Sequence, residues 1–130
     1  MRHSGIVHAQ LAHQIGLLGH TDRVVVADMG LPLPRHVPLI DLALVTGTVP
    51  FAAVLDALLD EIVVQGHVIA SEALEGVAGT WFDERADRLG LRTTLDHESF
   101  KQRLPQVAFA VRTGEATPYA NVILECGVPF

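Results

Sequence analysis

Three ionisable side chains stand where an acid–base reaction could use them: His20 in "GHTD", Asp28 in "DMGLPLP" and His97 in "LDHES". Histidine has an ordinary pKa of ~6.5, so its donor and acceptor forms coexist near neutrality. A carboxylate beside it can orient a ligand or steady the imidazolium. A further polar group lies in "RTGEATPYAN", residues 112–121, where Tyr119 (the only tyrosine) and Asn121 follow the stiffening Pro118. Phenol and amide groups are well suited to hydrogen-bonding sugar hydroxyls. These types describe acid–base chemistry on a small polar ligand. Each also has a plainer reading. Asp28 before a Gly/Pro loop has the look of a turn former, and His20 follows a helix end, where the dipole favours histidine. His97 could simply begin a helix, and Tyr119 and Asn121 could be a turn residue and a strand start.

Other chemistries lack their residues. There is no GxSxG elbow, no P-loop and no GxGxxG, so serine hydrolysis and nucleotide cofactors have no support. Cys126 is the only cysteine, which excludes an intrachain disulfide and a cysteine metal cage; within "VILEC" it reads as an inert strand residue. His3, His8 and His13 recur at five-residue steps that do not share a helical face, and no i, i+4 ligand pair of the HExxH kind occurs. No metal and no cofactor are expected.

The elements that must position these groups alternate along the chain. Leu11, Ile15 and Leu18 recur at helical spacing over residues 8–18, with Gly19 as a stop. "DRVVVAD" is a β-branched run bounded by polar residues, the pattern of a strand buried on both faces. "GLPLPRHVP" must be a loop, because prolines remove donors and fix φ. "LIDLALV" predicts a second strand, "PFAAVLDALLDEI" a helix opened by Pro50, and "VVQGHVIA" a third strand. One or two helices follow from Ser71 as N-cap, then a strand at "LRTTLD", a short helix at "HESFKQRL", and strands at "QVAFAVRTG" and "NVILECGV". Strands alternating with helices predict an α/β domain with a mixed, mostly parallel sheet and helices on both faces. The last two strands have no helix between them, which predicts an antiparallel step. Ligands of such sheets bind beyond the carboxyl ends of the strands, where Asp28 and His97 fall.

Composition sets the remaining bounds. The 130 residues make one domain, 1–130, with a net charge of −6 and no basic run, against a nucleic-acid partner. The most apolar stretch is interrupted by Asp41 and Asp56, against a membrane span, and the N-terminus lacks a signal-peptide stretch. A cytoplasmic location fits the cysteine usage. Hydrophobic residues reach 49% at a mean hydropathy of +0.34, more than a small domain readily hides, and point to self-association.

"GHTD" at 19–22, "DMGLPLP" at 28–34, "IDLAL" at 40–44, "RTGEATPYAN" at 112–121 and the terminal "GVPF" together resemble the D-ribose pyranase family, the ribose branch of the ribose/fucose mutarotase fold. The resemblance runs nearly end to end, apart from residues 70–92, which carry no matching motif. Thr21 and "GLP" favour this branch over the fucose branch. The resemblance implies His20 as catalytic acid, with Asp28, His97, Tyr119, Ala120 and Asn121 binding the sugar. It also implies a cofactor-free cytoplasmic isomerase that supplies ribofuranose to ribokinase and assembles as a homo-oligomer, a pentameric ring or stacked decamer. The alternatives are a mutarotase for fucose or another monosaccharide, and a non-catalytic sugar-binding regulator of ribose transport. A pyranose-to-furanose reaction needs an acid and a base around one ligand, so the expectation is that loop and helix end bring His20 and Asp28 to one pocket over the same sheet edge.

Overall fold

Strand β1 (Arg23–Ala27) lies in the interior of a six-stranded sheet, and its side chains explain why. Val24, Val25, Val26 and Ala27 are all fully buried. Branched side chains stiffen an extended backbone and fill both faces of a pleated strand. In this computed structural model, which describes residues 1–130, the sheet order is β2-β5-β1-β6-β3-β4. The other strands are β2 (Leu39–Asp41), β3 (Val64–Ala70), β4 (Leu91–Leu95), β5 (Phe109–Arg112) and β6 (Val122–Cys126).

Pairings β1–β5, β2–β5 and β3–β4 are parallel, whereas β6 runs antiparallel to both β1 and β3. The mixed sheet expected from the sequence is therefore present. The antiparallel step is not made between β5 and β6 themselves, because β1 lies between them, with Val25 opposite Ala110 on one side and Ile123 on the other.

Alternation along each strand splits the core in two. Val24, Val26, Phe109, Val111, Val122 and Leu124 face helices α1 (Ala9–Gly16), α2 (Phe51–Leu59), α3 (Val77–Glu84) and α4 (Ala86–Leu89), which supply Leu11, Phe51, Leu55, Leu58, Phe82 and Leu89 to the larger core. Each fully buried Leu or Phe side chain contributes ~1.5–3 kcal/mol relative to exposure. On the other face, α5 (His97–Gln102) and the turn after it bring Phe100 and Leu104 onto Val25, Ala27, Ala110 and Ile123. This smaller cover leaves Arg23, Glu125 and Thr93 lining an open groove.

Three expectations change in detail. The second strand is only Leu39–Asp41, because β2 is an edge strand and the chain beyond it turns back through a Val45–Thr48 bridge, leaving Leu44 and Val45 exposed. Helix α1 ends at Gly16, before Gly19, whose amide instead donates to Asp22 Oδ2. Ser71 does not cap an α-helix. It opens a 3₁₀ turn (Ser71–Glu75), and its hydroxyl donates to Glu72. No helix is long and apolar enough to cross a membrane.

Cys126 is buried in β6, and burial, with the Asp22 and Glu125 carboxylates nearby, pushes its thiol pKa up, which suits the inert reading. His67, 4% exposed in β3, is also structural. Its Nδ1–H donates to the Leu89 carbonyl at 2.9 Å and its Nε2 accepts from Arg92 at 3.2 Å, an arrangement only the neutral ring can make. Burial pushes its pKa below the ordinary 6.5. The unfolded chain therefore binds the proton first, and stability contributed by the neutral ring is lost as pH falls from 6.5 towards the lowered folded value. Urea unfolding of the wild type should weaken between about pH 7.5 and about pH 5, by at most ~1.4 kcal/mol per pH unit from this one group. The His67→Gln variant should show a flatter profile; an equal slope in both would remove His67 as the cause.

Candidate functional site

The carboxyl end of β1 is closed by one reciprocal pair. The Asp28 amide donates to Asn121 Oδ1 at 2.8 Å, and Asn121 Nδ2 donates back to Asp28 Oδ2 at 2.9 Å. The other carboxylate oxygen, Oδ1, accepts from the Gly30 and Leu31 amides at 2.9 and 2.8 Å. Asp28 is thus a turn former, and it also presents a half-buried carboxylate at the strand end. The two readings are not exclusive. Asn121, 1% exposed, spends its amide on this lock.

The segment carrying Tyr119 is shaped by residues to which sequence pattern alone gives no role. Thr113 Oγ1 donates to the Ala27 carbonyl and accepts from the Glu115 amide, tying the loop to β1. Glu115 is its organiser. One carboxylate oxygen accepts from the Phe51 amide at the start of α2 and the other from Thr117 Oγ1 at 2.9 Å, while the Glu115 carbonyl accepts from the Met29 amide. Gly114 is needed because a Cβ there would meet the Thr48 carbonyl oxygen at 2.1 Å. The available signal was a Glu two residues before a Thr-Pro pair, within reach of a helix start that has no side-chain cap of its own. Tyr119 itself takes a left-handed backbone at φ +60°, uncommon for a non-glycine residue. Ala120 beside it is fully buried.

His97 opens α5 at the carboxyl end of β4, so this helix start also lines the cleft described below. Asp96 caps the helix by accepting from the Ser99 amide, and the His97 amide donates to both carboxylate oxygens of Glu72 at 3.1 Å. Those backbone donors, Glu72's own amide first and then that of His97, hold the Glu72 carboxyl below its usual range. The imidazole stacks on Phe100, with centroids 6.4 Å apart, and meets Tyr119 edge-on at 5.2 Å. Its Nδ1 is buried without a hydrogen-bond partner. Such an orphan is costly unless a ligand or water completes it. Asp28, Leu31, His97 and Tyr119 line a shallow cleft of about 270 Å³. A carboxylate acceptor, a phenol and an imidazole ring around that volume fit a small polyhydroxylated ligand.

His20 is not in this cleft, which corrects the one-pocket expectation. It precedes β1, whereas Asp28 follows it, and the five residues of the strand, at about 3.3 Å each, separate its two ends by roughly 15 Å. Straight strands cannot bring their own ends together. Nor does His20 pair with Asp28. Its Nε2 lies 3.0 Å from Gln65 Oε1 in β3, and the next residue, Thr21, adopts φ +70° while its amide donates to the Cys126 carbonyl. The imidazole is exposed beside a different cleft, of about 520 Å³, lined by Leu18, Val63, Gly127 and Phe130 among others. One chain thus places His20 and the Asp28 cleft at opposite ends of the sheet.

This fold and these motifs define a sugar-handling class. The chain belongs to the RbsD / FucU transport protein family, whose family model matches residues 1–129. It is 52% identical over 130 residues to a D-ribose pyranase of Cutibacterium acnes, with both chains covered completely. It is 44% identical over 131 residues to a D-ribose pyranase of Geobacillus kaustophilus, covering 100% of this chain and 96% of the relative. Among solved structures, Bacillus subtilis RbsD complexed with D-ribose matches all of both chains at a TM-score of 0.94 and 36% identity. The fucose mutarotase of Streptococcus pneumoniae in complex with L-fucose matches at 0.82 and 24% identity, a likeness of fold alone.

Proposed function

We propose that this protein is an isomerase that interconverts the pyranose and furanose forms of D-ribose, acting as one domain of residues 1–130 in the cytoplasm and supplying furanose to ribokinase. The observation that carries the reading is the 52% identity, from end to end, with a protein named D-ribose pyranase. The polar cleft at Asp28 supports it, since its volume and its donors and acceptors suit a pentose.

In this reading His20 is the catalytic acid, Asp28, His97 and Tyr119 face the sugar in the binding half, and buried Ala120 and Asn121 stand behind them, Asn121 through its lock on Asp28. Opening the pyranose breaks the bond from C1 to the ring oxygen. That oxygen gains a proton, the anomeric hydroxyl loses one, and C1 becomes an aldehyde. The open chain rotates, the C4 hydroxyl adds to C1, and the two proton transfers run in reverse, so none is gained or lost. A histidine can serve each direction, because imidazolium donates and imidazole accepts near neutrality. No resident cofactor enters the scheme. His97 and the Asp28 carboxylate hold hydroxyl groups while the ring is open.

The two half-sites complete one another if His20 of one copy faces the Asp28 cleft of the next. Opposite ends of a protomer meeting in this way form a head-to-tail contact, which closes into a ring when the rotation permits. A pentameric ring or stacked decamer is the assembly proposed. Exposed apolar side chains at Leu17, Leu44, Val45 and Leu91, each more than 60% exposed in one chain, favour burial between copies.

The test is exchange NMR on sugars at equilibrium. Catalytic amounts of protein should speed pyranose–furanose exchange of D-ribose. Faster anomer exchange of L-fucose alone would support a fucose mutarotase instead. Ribose binding without faster exchange would support a regulator.

A further inference from the structure

The His20 ring is held from behind by a chain of three side chains whose donors and acceptors leave one arrangement. Glu125 Oε2 accepts from Arg23 Nε and Nη2 at 3.0 and 2.9 Å. Its Oε1 accepts from Gln65 Nε2 at 2.8 Å, and Gln65 Oε1 lies 3.0 Å from His20 Nε2. An ionised carboxylate only accepts, so Gln65 must turn its amide nitrogen to Glu125 and its oxygen to the ring. That oxygen can only accept, so Nε2 must carry the proton. The contacts of Gln65 and Arg23 with Glu125, and the charge of His20 after them, hold the Glu125 carboxyl below its usual range and keep it ionised. Asp22, the nearby carboxylate of the same turn, is engaged by the Gly19 amide.

We infer that Arg23, Glu125 and Gln65 are positioning residues that fix His20 as the Nε2–H tautomer, so that Nδ1 is the nitrogen that exchanges protons with the sugar. The inference rests on the proposed catalytic role of His20. Every neutral ring then has its lone pair on the side away from Gln65, and the imidazolium has its labile proton there. A ring free to choose tautomers would present an N–H where an acceptor is needed in part of the population.

The test uses the full chain, ¹⁵N-labelled, at a pH where the ring is neutral. Long-range ¹H–¹⁵N correlation should place the proton of wild-type His20 on Nε2. In Glu125→Gln, Gln65 is free to turn, and in Gln65→Leu the acceptor is gone. Both should show mixed tautomers, which alone cost about the twofold of the lost population, and a ring no longer held in place, which takes the loss in kcat for ribose exchange to about 10- to 100-fold, the usual scale for a group that orients a working residue. KM should stay within about twofold, because ground-state binding is untouched. The exchanged pair Gln65→Glu/Glu125→Gln restores an acceptor at the ring and a donor behind it, and should recover both the tautomer and most of kcat. Gln65 is exposed, so these variants should fold, which circular dichroism checks. A wild-type ring protonated on Nδ1, single variants with full kcat, or an exchanged pair with the Nε2–H tautomer but no recovered rate would each overturn the inference. Failure of the underlying reading looks different: His20→Ala would then exchange ribose as fast as the wild type, whatever the tautomer.

Discussion

His20→Ala should lower the pyranose–furanose exchange rate of D-ribose by about 10²–10⁴-fold, the scale associated with one acid–base group, while ribose still binds. The separation of His20 from the Asp28 cleft is what makes the second part of this expectation. His20 stands at the amino end of β1, and the cleft lined by Asp28, His97 and Tyr119 lies at the other end. Removing an exposed imidazole from that turn takes away a proton carrier and leaves Asp28, His97 and Tyr119 where they were. Exchange NMR gives the rate, and calorimetric titration with ribose gives the affinity. Near-normal exchange would remove His20 from the mechanism. Lost binding with lost exchange would make it a sugar-binding group as well.

The second large effect is recovery from two inactive variants. If His20 serves the cleft of a neighbouring copy, His20→Ala retains an intact cleft and His97→Ala/Tyr119→Ala retains an intact acid, yet each assembly alone should be nearly inactive. Co-refolding equal amounts should restore about a quarter of the sites, the chance that an intact His20 and an intact cleft meet in a closed head-to-tail ring. Asn121 is left unchanged in this test, because removing its amide would strand the buried partner groups of Asp28. Each variant must first be shown to assemble, by light scattering. No recovery from two well-assembled, exchanging variants would mean that each chain holds its whole site.

Much of the architecture was legible from local pattern. "RVVVA" reads as a doubly buried strand because each residue is branched or small, and it is one. Pro50 marks the start of α2, and the prolines of 32–38 exclude regular structure. The absence of a helix between β5 and β6 requires their opposed directions, but not that β1 lies between them. Strand order depends on pairings between segments up to a hundred residues apart, which no local window contains. Helix ends were less legible for a similar reason: Gly19 has the residue type of a stop, but its amide is taken by Asp22, and α1 has ended three residues earlier.

For the candidate site, residue types alone singled out the side chains capable of acid–base and hydroxyl-binding chemistry, since those capacities belong to imidazole, carboxylate, phenol and amide wherever they stand. Tertiary structure decided which of them share a cleft. Asp28 and Asn121, 93 residues apart in sequence, lock together because antiparallel β6 begins beside the end of β1. His20 and Asp28, eight positions apart, are kept apart because the residues between them form a strand. An extended backbone is the most effective spacer a short peptide can make, so closeness in sequence became distance in space. The supporting roles of Glu115, Glu72 and Gln65 were invisible for the converse reason. Each acts by completing backbone or side-chain hydrogen bonds on an element remote in sequence, and such a partner is named only once the chain has folded.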